Sequence, residues 1–384
     1  MVYLYIILLL SGMIYISYIE YFRKGLSRLR QELCHISDDK LMGVTVIIPA
    51  RDEEKNISKT VNSVLNQNYP ENMLNVIAVN DRSNDSTGKI LDSMSRINSN
   101  LSVIHIREVS KNISPKKNAI LTAVRSAKDD LIVTTDADCI HDPDWIRSLV
   151  FPLTLQGSES TGVVAGLTVF SKRYDSVKEK FWQKMQNIDY VSHSLIAAGS
   201  IGMGRAFTAN GSNLLVRKEL YDKEHDNLQS ELASGDDFFM IQAARESKYT
   251  LRFVINRESI VKSLPVNTVR ELIEQRSRWA SKAAHASNFV LYFAVNTFIF
   301  YLGIIFAVIL TLTGFFPLEY LIVVLMIKLI PETLFLSYGF GRMGLDFELK
   351  YYIPLQFFHI PFSLLAALKG KLFGFEWKGM KYRL

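Results

Sequence analysis

Cysteine is almost missing from this chain: Cys34 and Cys139 are the only two, and their spacing is unpaired. That excludes a disulfide framework and a thiolate metal centre, and a reducing compartment follows as the expectation for the folded domain. Internal repeats and low-complexity tracts are lacking too, which removes repeat architectures. A strong excess of one charge is also absent, since 44 Lys and Arg against 38 Asp and Glu leave +6, with a pI near 9.0. The basic residues are dispersed and flank apolar runs. A membrane surface or an anionic nucleotide is therefore the expected partner, and nucleic acid is not.

What the chain has in quantity is apolar sequence, 48% of 384 residues, enough for one large core with segments left over for a second solvent. Met1 to Ile19 carries no charged side chain, and Arg23, Lys24, Arg28 and Arg30 follow. No basic stretch precedes the run and no small-residue cleavage site ends it. The expectation is an uncleaved anchor over 1–22 with its amino end outside the membrane. Beyond Asn288, Phe289 to Phe316 and Leu318 to Phe340 are separated by Pro317 and read as a spanning hairpin. Tyr351 to Leu368 contains Pro354 and Pro361, and a basic tail of Lys369, Lys371, Lys378, Lys381 and Arg383 follows. Three carboxyl-side spans would put that tail outside, against the positive-inside rule, so 351–368 is expected to be re-entrant or interfacial.

Between about 41 and 266 the pattern is α/β. Short β-rich runs (Val44 to Ile48, Val76 to Asn80, Val103 to Ile106, Leu131 to Thr135, Val163 to Val169) alternate with helical stretches (Glu54 to Asn66, Thr87 to Met94, Lys116 to Ala127, Asp144 to Leu149). Such alternation implies a mostly parallel sheet covered by helices, which binds ligands at the carboxyl ends of its strands. Three runs end abruptly in polar groups. The first leads into Pro49-Ala50-Arg51-Asp52-Glu53 and the second into Asn80-Asp81-Arg82-Ser83-Asn84-Asp85-Ser86. The third leads into Asp136-Ala137-Asp138. Asp81, Ser83 and Asp85 could also serve only a turn and a helix cap. Residues two apart on an extended chain point the same way, so Asp136 and Asp138 can face one ligand. Carboxylates with phosphate oxygens are how magnesium or manganese is usually held.

In order and spacing these residues resemble glycosyltransferase family 2, over roughly Val44 to Lys282. The elements are Val46 to Glu53, Asp81, Lys117 in Pro115-Lys116-Lys117-Asn118-Ala119, Asp136-Ala137-Asp138, Gly211-Ser212-Asn213-Leu214-Leu215-Val216-Arg217, Gly235-Asp236-Asp237 and Gln275-Arg276-Ser277-Arg278-Trp279. The resemblance implies a GT-A fold, Rossmann-like, on membrane helices. It also implies inverting transfer from a nucleotide-diphosphate sugar, UDP by expectation, to a lipid or glycan acceptor, with Mg2+ or Mn2+ as cofactor. Pro49, Arg51, Glu53, Asp81, Lys117 and Asp136 would serve the donor. Asp138, with Asp136, would bind the metal. Asp237 would be the general base, beside Asp236, whose other reading is a helix cap. The family usually has Glu-Asp where Asp236-Asp237 stands, and two acids where Asn80-Asp81 stands.

Gln275, Arg278 and Trp279 fall at i, i+3 and i+4 on one helix face, and Val269, Leu272, Ile273, Ala280 and Ala283 carry an apolar stripe along the same segment. An interfacial helix over 267–288 is expected, whose motif, by the resemblance, closes over the diphosphate and acceptor. His193 and His285 fall on expected helices without metal-ligand spacing and read as packed or surface histidines. A processive polysaccharide synthase and an inactive scaffold are the competing functions. A nucleotidyltransferase is disfavoured because no glycine-rich basic loop follows the first strand. The catalytic domain is expected in the cytosol on the plasma or inner membrane, between 1–22 and a membrane region at 289–384.

Overall fold

The computed structural model describes residues 2–30, 36–108, 113–171, 180–223, 236–247, 249–281, 287–377 and 380–382. Cys34, Gly235 and His285 lie outside them, as do Lys282 and Ala283. In chain order the elements begin with α1 (Val2–Arg28), β1 (Val44–Ala50), α2 (Ile57–Leu65), β2 (Leu74–Asp81), α3 (Thr87–Ser95), β3 (Leu101–Ile106), α4 (Pro115–Ser126), β4 (Leu131–Thr134) and α5 (Trp145–Val150). Next come β5 (Thr161–Ala165), β6 (Thr168–Phe170), α6 (Phe181–Gly202), β7 (Leu214–Arg217), α7 (Lys218–Lys223), α8 (Asp236–Glu246), β8 (Thr250–Phe253) and β9 (Val261–Ser263). The chain closes with α9 (Val269–Ala280), α10 (Asn288–Leu312), α11 (Leu318–Arg342), α12 (Leu349–Leu372) and a hairpin of β10 (Phe375–Trp377) and β11 (Met380–Tyr382).

Contacts divide the chain into two compact units: residues 28–179 with 196–265, and residues 1–27, 180–195 and 266–384. The first holds a seven-stranded sheet in the order β3-β2-β1-β4-β7-β5-β8. The β1/β2, β2/β3, β1/β4 and β5/β8 pairs are parallel, and only β7 runs against its neighbours β4 and β5. The central strands β1, β4 and β5 are buried almost throughout, as their unbroken apolar runs require when both faces are covered. The chain winds outward from β1 through β2 to β3, then returns through α4 to β4 on the other side of β1. That reversal makes the carboxyl ends of β1 and β4 the switch point, the usual ligand position in such a sheet.

The run expected as one strand over Val163 to Val169 is divided. β5 stays in the large sheet, while β6 pairs with β9 in a separate two-stranded ribbon. The break falls at Gly166, where an added Cβ would lie 2.4 Å from Asn213 Nδ2. Asn213 is wholly buried, and its amide donates to the carbonyls of Leu167 and Ser259 (2.8 Å each) and accepts from the indole of Trp145 (2.9 Å). It ties β7, the β5/β6 break, the segment before β9 and α5 together. Local periodicity could not show this, because the partners are remote in sequence.

In the second unit, α1, α10, α11 and α12 are each long and apolar enough to cross a membrane, by length and composition. Small residues let them approach: an added Cβ on Gly12 would lie 2.6 Å from Ile327, and one on Gly303 would lie 2.6 Å from Leu8. A polar network joins all four helices. Glu332 accepts from Tyr15 (2.5 Å), Lys328 (2.8 Å) and Tyr352 (3.3 Å), Tyr301 also reaches it (3.4 Å), and Lys328 donates to Gln356 (2.5 Å). Charges inside such segments are costly unless paired, and here each has its partner. The Lys328/Glu332 spacing of i, i+4 within an apolar run was the available signal. α12 is one continuous helix through both Pro354 and Pro361.

Candidate active site

Parallel register aligns the three strand ends, pairing Ala50 with Asn80 and Ile47 with Thr134, so the polar residues that follow share one edge. Just past β1 and β2, Asp52 (φ 54°) and Arg82 (φ 53°) both adopt left-handed backbone, uncommon for residues with a side chain. Reciprocal bonds hold the two loops in that shape. The Asp52 amide donates to Ser83 Oγ (3.1 Å) and Asp52 Oδ1 accepts from the Asn84 amide (2.7 Å). The Glu54 amide donates to Asp85 (3.0 Å), Glu54 accepts from the Ser86 amide (2.9 Å), and the Glu53 amide donates to Thr87 Oγ1 (2.8 Å). Ser83 and Asp85 are thus engaged in holding the loops, and Asp85 also accepts from the Thr87 amide at the start of α3 (2.9 Å). Asp81 is buried and gripped by both ends of the Arg82 guanidinium (2.7 and 3.1 Å).

At β4 the expected extended geometry gives way to a turn. The strand stops at Thr134, and Ala137 and Asp138 lie in a turn. The two carboxylates consequently meet different surroundings. Asp136 is 40% exposed and takes Lys116 Nζ at 2.6 Å, whereas Asp138 turns inward and accepts from Ser263 Oγ (3.2 Å), at the end of β9. Burial, then the neighbouring charges of Asp136 and Glu53, push the Asp138 carboxyl up to about 6, against the Ser263 hydrogen bond. These three acids form one negative cluster at the switch point. Lys116 was not singled out from the sequence, although it adjoins Lys117. Lys117 itself is buried at the first turn of α4.

Behind the cluster, His141 is buried between Ser63 (Nδ1, 2.8 Å) and Thr135 (Nε2, 2.7 Å), and burial lowers its pKa to about 3. Cys139 is wholly buried, in keeping with a small core side chain. Asp237 is half-buried in the first turn of α8, and its Oδ1 accepts from the Phe238 amide (2.7 Å). The Asp236 side chain lies outside the described residues. A cavity of about 640 Å³ in this unit lies along the edge strand β8, is lined by Arg28, Arg30, Arg245 and Arg252 among others, and includes none of these carboxylates.

Gln275, Arg278 and Trp279 are carried by α9, in the other unit. A capping box starts that helix: Thr268 Oγ1 accepts from the Glu271 amide (3.2 Å), and Glu271 accepts from the Thr268 amide (3.3 Å). The apolar stripe is not the buried side. Val269 is 64% exposed and Leu272, Ile273 and Ala280 are half-buried, while Arg276 and Ser277 pack inside. The helix expected around His193 is α6, whose Ile188, Val191, Leu195 and Ala198 are buried at helical spacing; its bounds were not read from the sequence.

A parallel-centred α/β sheet with acids at its switch point, joined to long apolar helices, is the architecture of a membrane-associated GT-A glycosyltransferase. Residues 45–206 match Glycosyl transferase family 2, and residues 131–341, more than half of the chain, match Glycosyl transferase family group 2. The chain belongs to this family. It is 26% identical over 252 residues to the probable glycosyltransferase YdaM of Bacillus subtilis, covering 63% of this chain and 55% of that one. It is 25% identical over 242 residues to the beta-monoglucosyldiacylglycerol synthase of Trichormus variabilis, covering 62% and 48%. The chain therefore spans about half the length of these relatives. In fold it is similar to the mannosyltransferase PcManGT from Pyrobaculum calidifontis, solved with GDP-Man and Mn2+, with a TM-score of 0.60, 17% identity, and coverage of 96% of this chain and 98% of that one.

Proposed function

We propose that the chain is an inverting, metal-dependent glycosyltransferase that moves a sugar from a nucleotide diphosphate to a lipid or glycan acceptor at the cytoplasmic membrane face. The observation that carries this reading is the negative cluster at the β1/β4 switch point, where half-buried Asp138 feels the charges of Asp136 and Glu53 and its carboxyl is pushed up to about 6. A divalent cation suits that cluster, since it would neutralise charge that burial makes costly. Among the described residues no group of three or more His, Cys, Asp or Glu forms a metal site by itself, so diphosphate oxygens would complete the shell. Asp138 and Asp136 would hold the Mg2+ or Mn2+, which when bound supplies charge stabilisation for the departing diphosphate.

The chain's own groups do the rest. Glu53 and Asp81 bind base and ribose at the ends of β1 and β2, where Pro49 and Arg51 shape the strand exit. Lys117 lies toward the nucleotide, and Lys116 orients Asp136. Asp237 takes the proton of the acceptor hydroxyl, whose oxygen attacks the anomeric carbon opposite the leaving group. The bond to the diphosphate breaks with its electrons, so configuration inverts. By the family resemblance, Gln275, Arg278 and Trp279 would serve the diphosphate and the acceptor. A lipid acceptor is favoured by the four apolar helices and by a relative named for diacylglycerol glycolipid synthesis.

The test is purified full-length protein incubated with UDP-glucose, UDP-N-acetylglucosamine and GDP-mannose, with and without extracted membrane lipid, in magnesium, manganese or chelator. Sugar transfer from at least one donor, lost in chelator, is expected. No turnover of any donor would remove the enzymatic reading, and full activity in chelator would remove the metal.

A further inference from the structure

Within the Gln275-x-x-Arg278-Trp279 segment, the most buried residues are the two between the motif positions. Ser277 is wholly buried and Arg276 is 6% exposed. A guanidinium that far from water needs a partner. Asp189 of α6, itself 7% exposed, receives Arg276 Nη2. Burial pushes the Asp189 carboxyl up, but Arg276 together with the neighbouring His193 and His359 holds the group below the ordinary carboxylate range. The Arg276 guanidinium also lies over the indole of Trp279, 4.1 Å from the ring centroid. α6 reaches the same ring with Tyr190 (5.7 Å between centroids) and His193 (5.9 Å), which stand one and four residues beyond Asp189. Trp279 is thus held by its own helix and by α6, and the ion pair locks those two helices to each other.

We propose that Arg276 and Asp189 are positioning residues which fix the orientation of Trp279 and, through it, the acceptor end of the transfer reaction; this rests on the motif's role given above. A buried ion pair adds little net stability compared with apolar side chains of similar size, so stability alone is a weak reason for one here. What it supplies is direction. The planar guanidinium is fixed by the carboxylate at one edge and offers its face to the indole. Small displacements of a positioning group cost about 10²-fold in rate.

The experiment uses the full chain in nanodiscs and compares the parent with Asp189→Asn, Asp189→Glu and the double apolar replacement Asp189→Leu with Arg276→Met. Three quantities are read: transfer to membrane lipid against donor hydrolysis to water, affinity for UDP and GDP, and the Trp279 emission, isolated by subtracting Trp279→Phe in each background. Asp189→Asn is expected to lower transfer about tenfold or more and to red-shift the Trp279 emission, with nucleotide affinity and hydrolysis unchanged. Asp189→Glu should recover part of both. The double replacement should melt close to the parent yet transfer as poorly as Asp189→Asn. Parental transfer and emission in Asp189→Asn, or recovery of transfer in the double replacement, would overturn the proposal. So would loss of nucleotide binding together with transfer, which would mean that the pair serves only the fold. If the parent turns over no donor, the glycosyltransferase reading fails while the emission still reports whether the pair orients Trp279.

Discussion

At the scale of single residues, Asp236 and Asp237 can be separated by changing each to Asn. Asn keeps the oxygen that accepts from the Phe238 amide, so the start of α8 should persist, but it cannot take a proton. With Asp237 as base, Asp237→Asn should retain nucleotide affinity by calorimetry and lose transfer by about 10²-fold or more, and Asp236→Asn should be milder. Equal transfer rates for Asp237→Asn and the parent would exclude it as the base. His141 makes a second prediction. Its pKa falls from 6.5 to about 3 on burial, so the unfolded chain gains a proton below pH 6.5 that the folded chain refuses. Stability is full above that pH and declines toward pH 3, by about 2 kcal/mol at pH 5 from the shift alone. Melting temperatures from pH 7 to 5 should fall less steeply in His141→Gln than in the parent, and parallel slopes would contradict this.

At the scale of elements, the sheet depends on a side chain that contributes no apolar area. Asn213→Ala would leave the Trp145 indole and the Leu167 and Ser259 carbonyls unpaired in the core, a loss on the order of 3 kcal/mol or more. A melting temperature lowered by several degrees is expected, and an unchanged one would mean that Asn213 does not hold the junction of β7 with the β5/β6 break. α12 is tied at both ends. Glu348 faces Lys184 of α6 (4.0 Å) and Lys369 holds Glu274 of α9 (2.6 Å), while the Glu376 amide beyond α12 donates to Glu274 (2.8 Å). Both α6 and α9 lead directly by chain into the sheet-bearing unit. We propose from the charge pattern, and not from these ties, that α12 is re-entrant or interfacial rather than a fourth crossing.

At the scale of the whole molecule, this predicts that the basic tail and the catalytic unit share the cytosolic side. In intact spheroplasts, external protease should spare residues 41–288, and a cysteine added after Leu384 should resist an impermeant thiol reagent until the membrane is opened. Labelling of that cysteine from outside would make α12 a true span, and cleavage within the catalytic unit would reverse the orientation.

Residues adjacent in sequence set much of this protein. The unbroken apolar runs of β1 and β4 require burial on both faces, the length and apolar composition of α1, α10 and α11 suit membrane-spanning helices, and Asp81, Asp136 and Asp138 stand where strands end, because each of these depends on the local sequence. Tertiary structure decided the remainder. The antiparallel β7, the split at Gly166, the turn that sends Asp136 to Lys116 and Asp138 to Ser263, the Lys328/Glu332 network and the Arg276/Asp189 pair all join groups far apart in the chain. A buried charge or amide is tolerable only where a remote partner meets it, and no stretch of sequence specifies its partner alone.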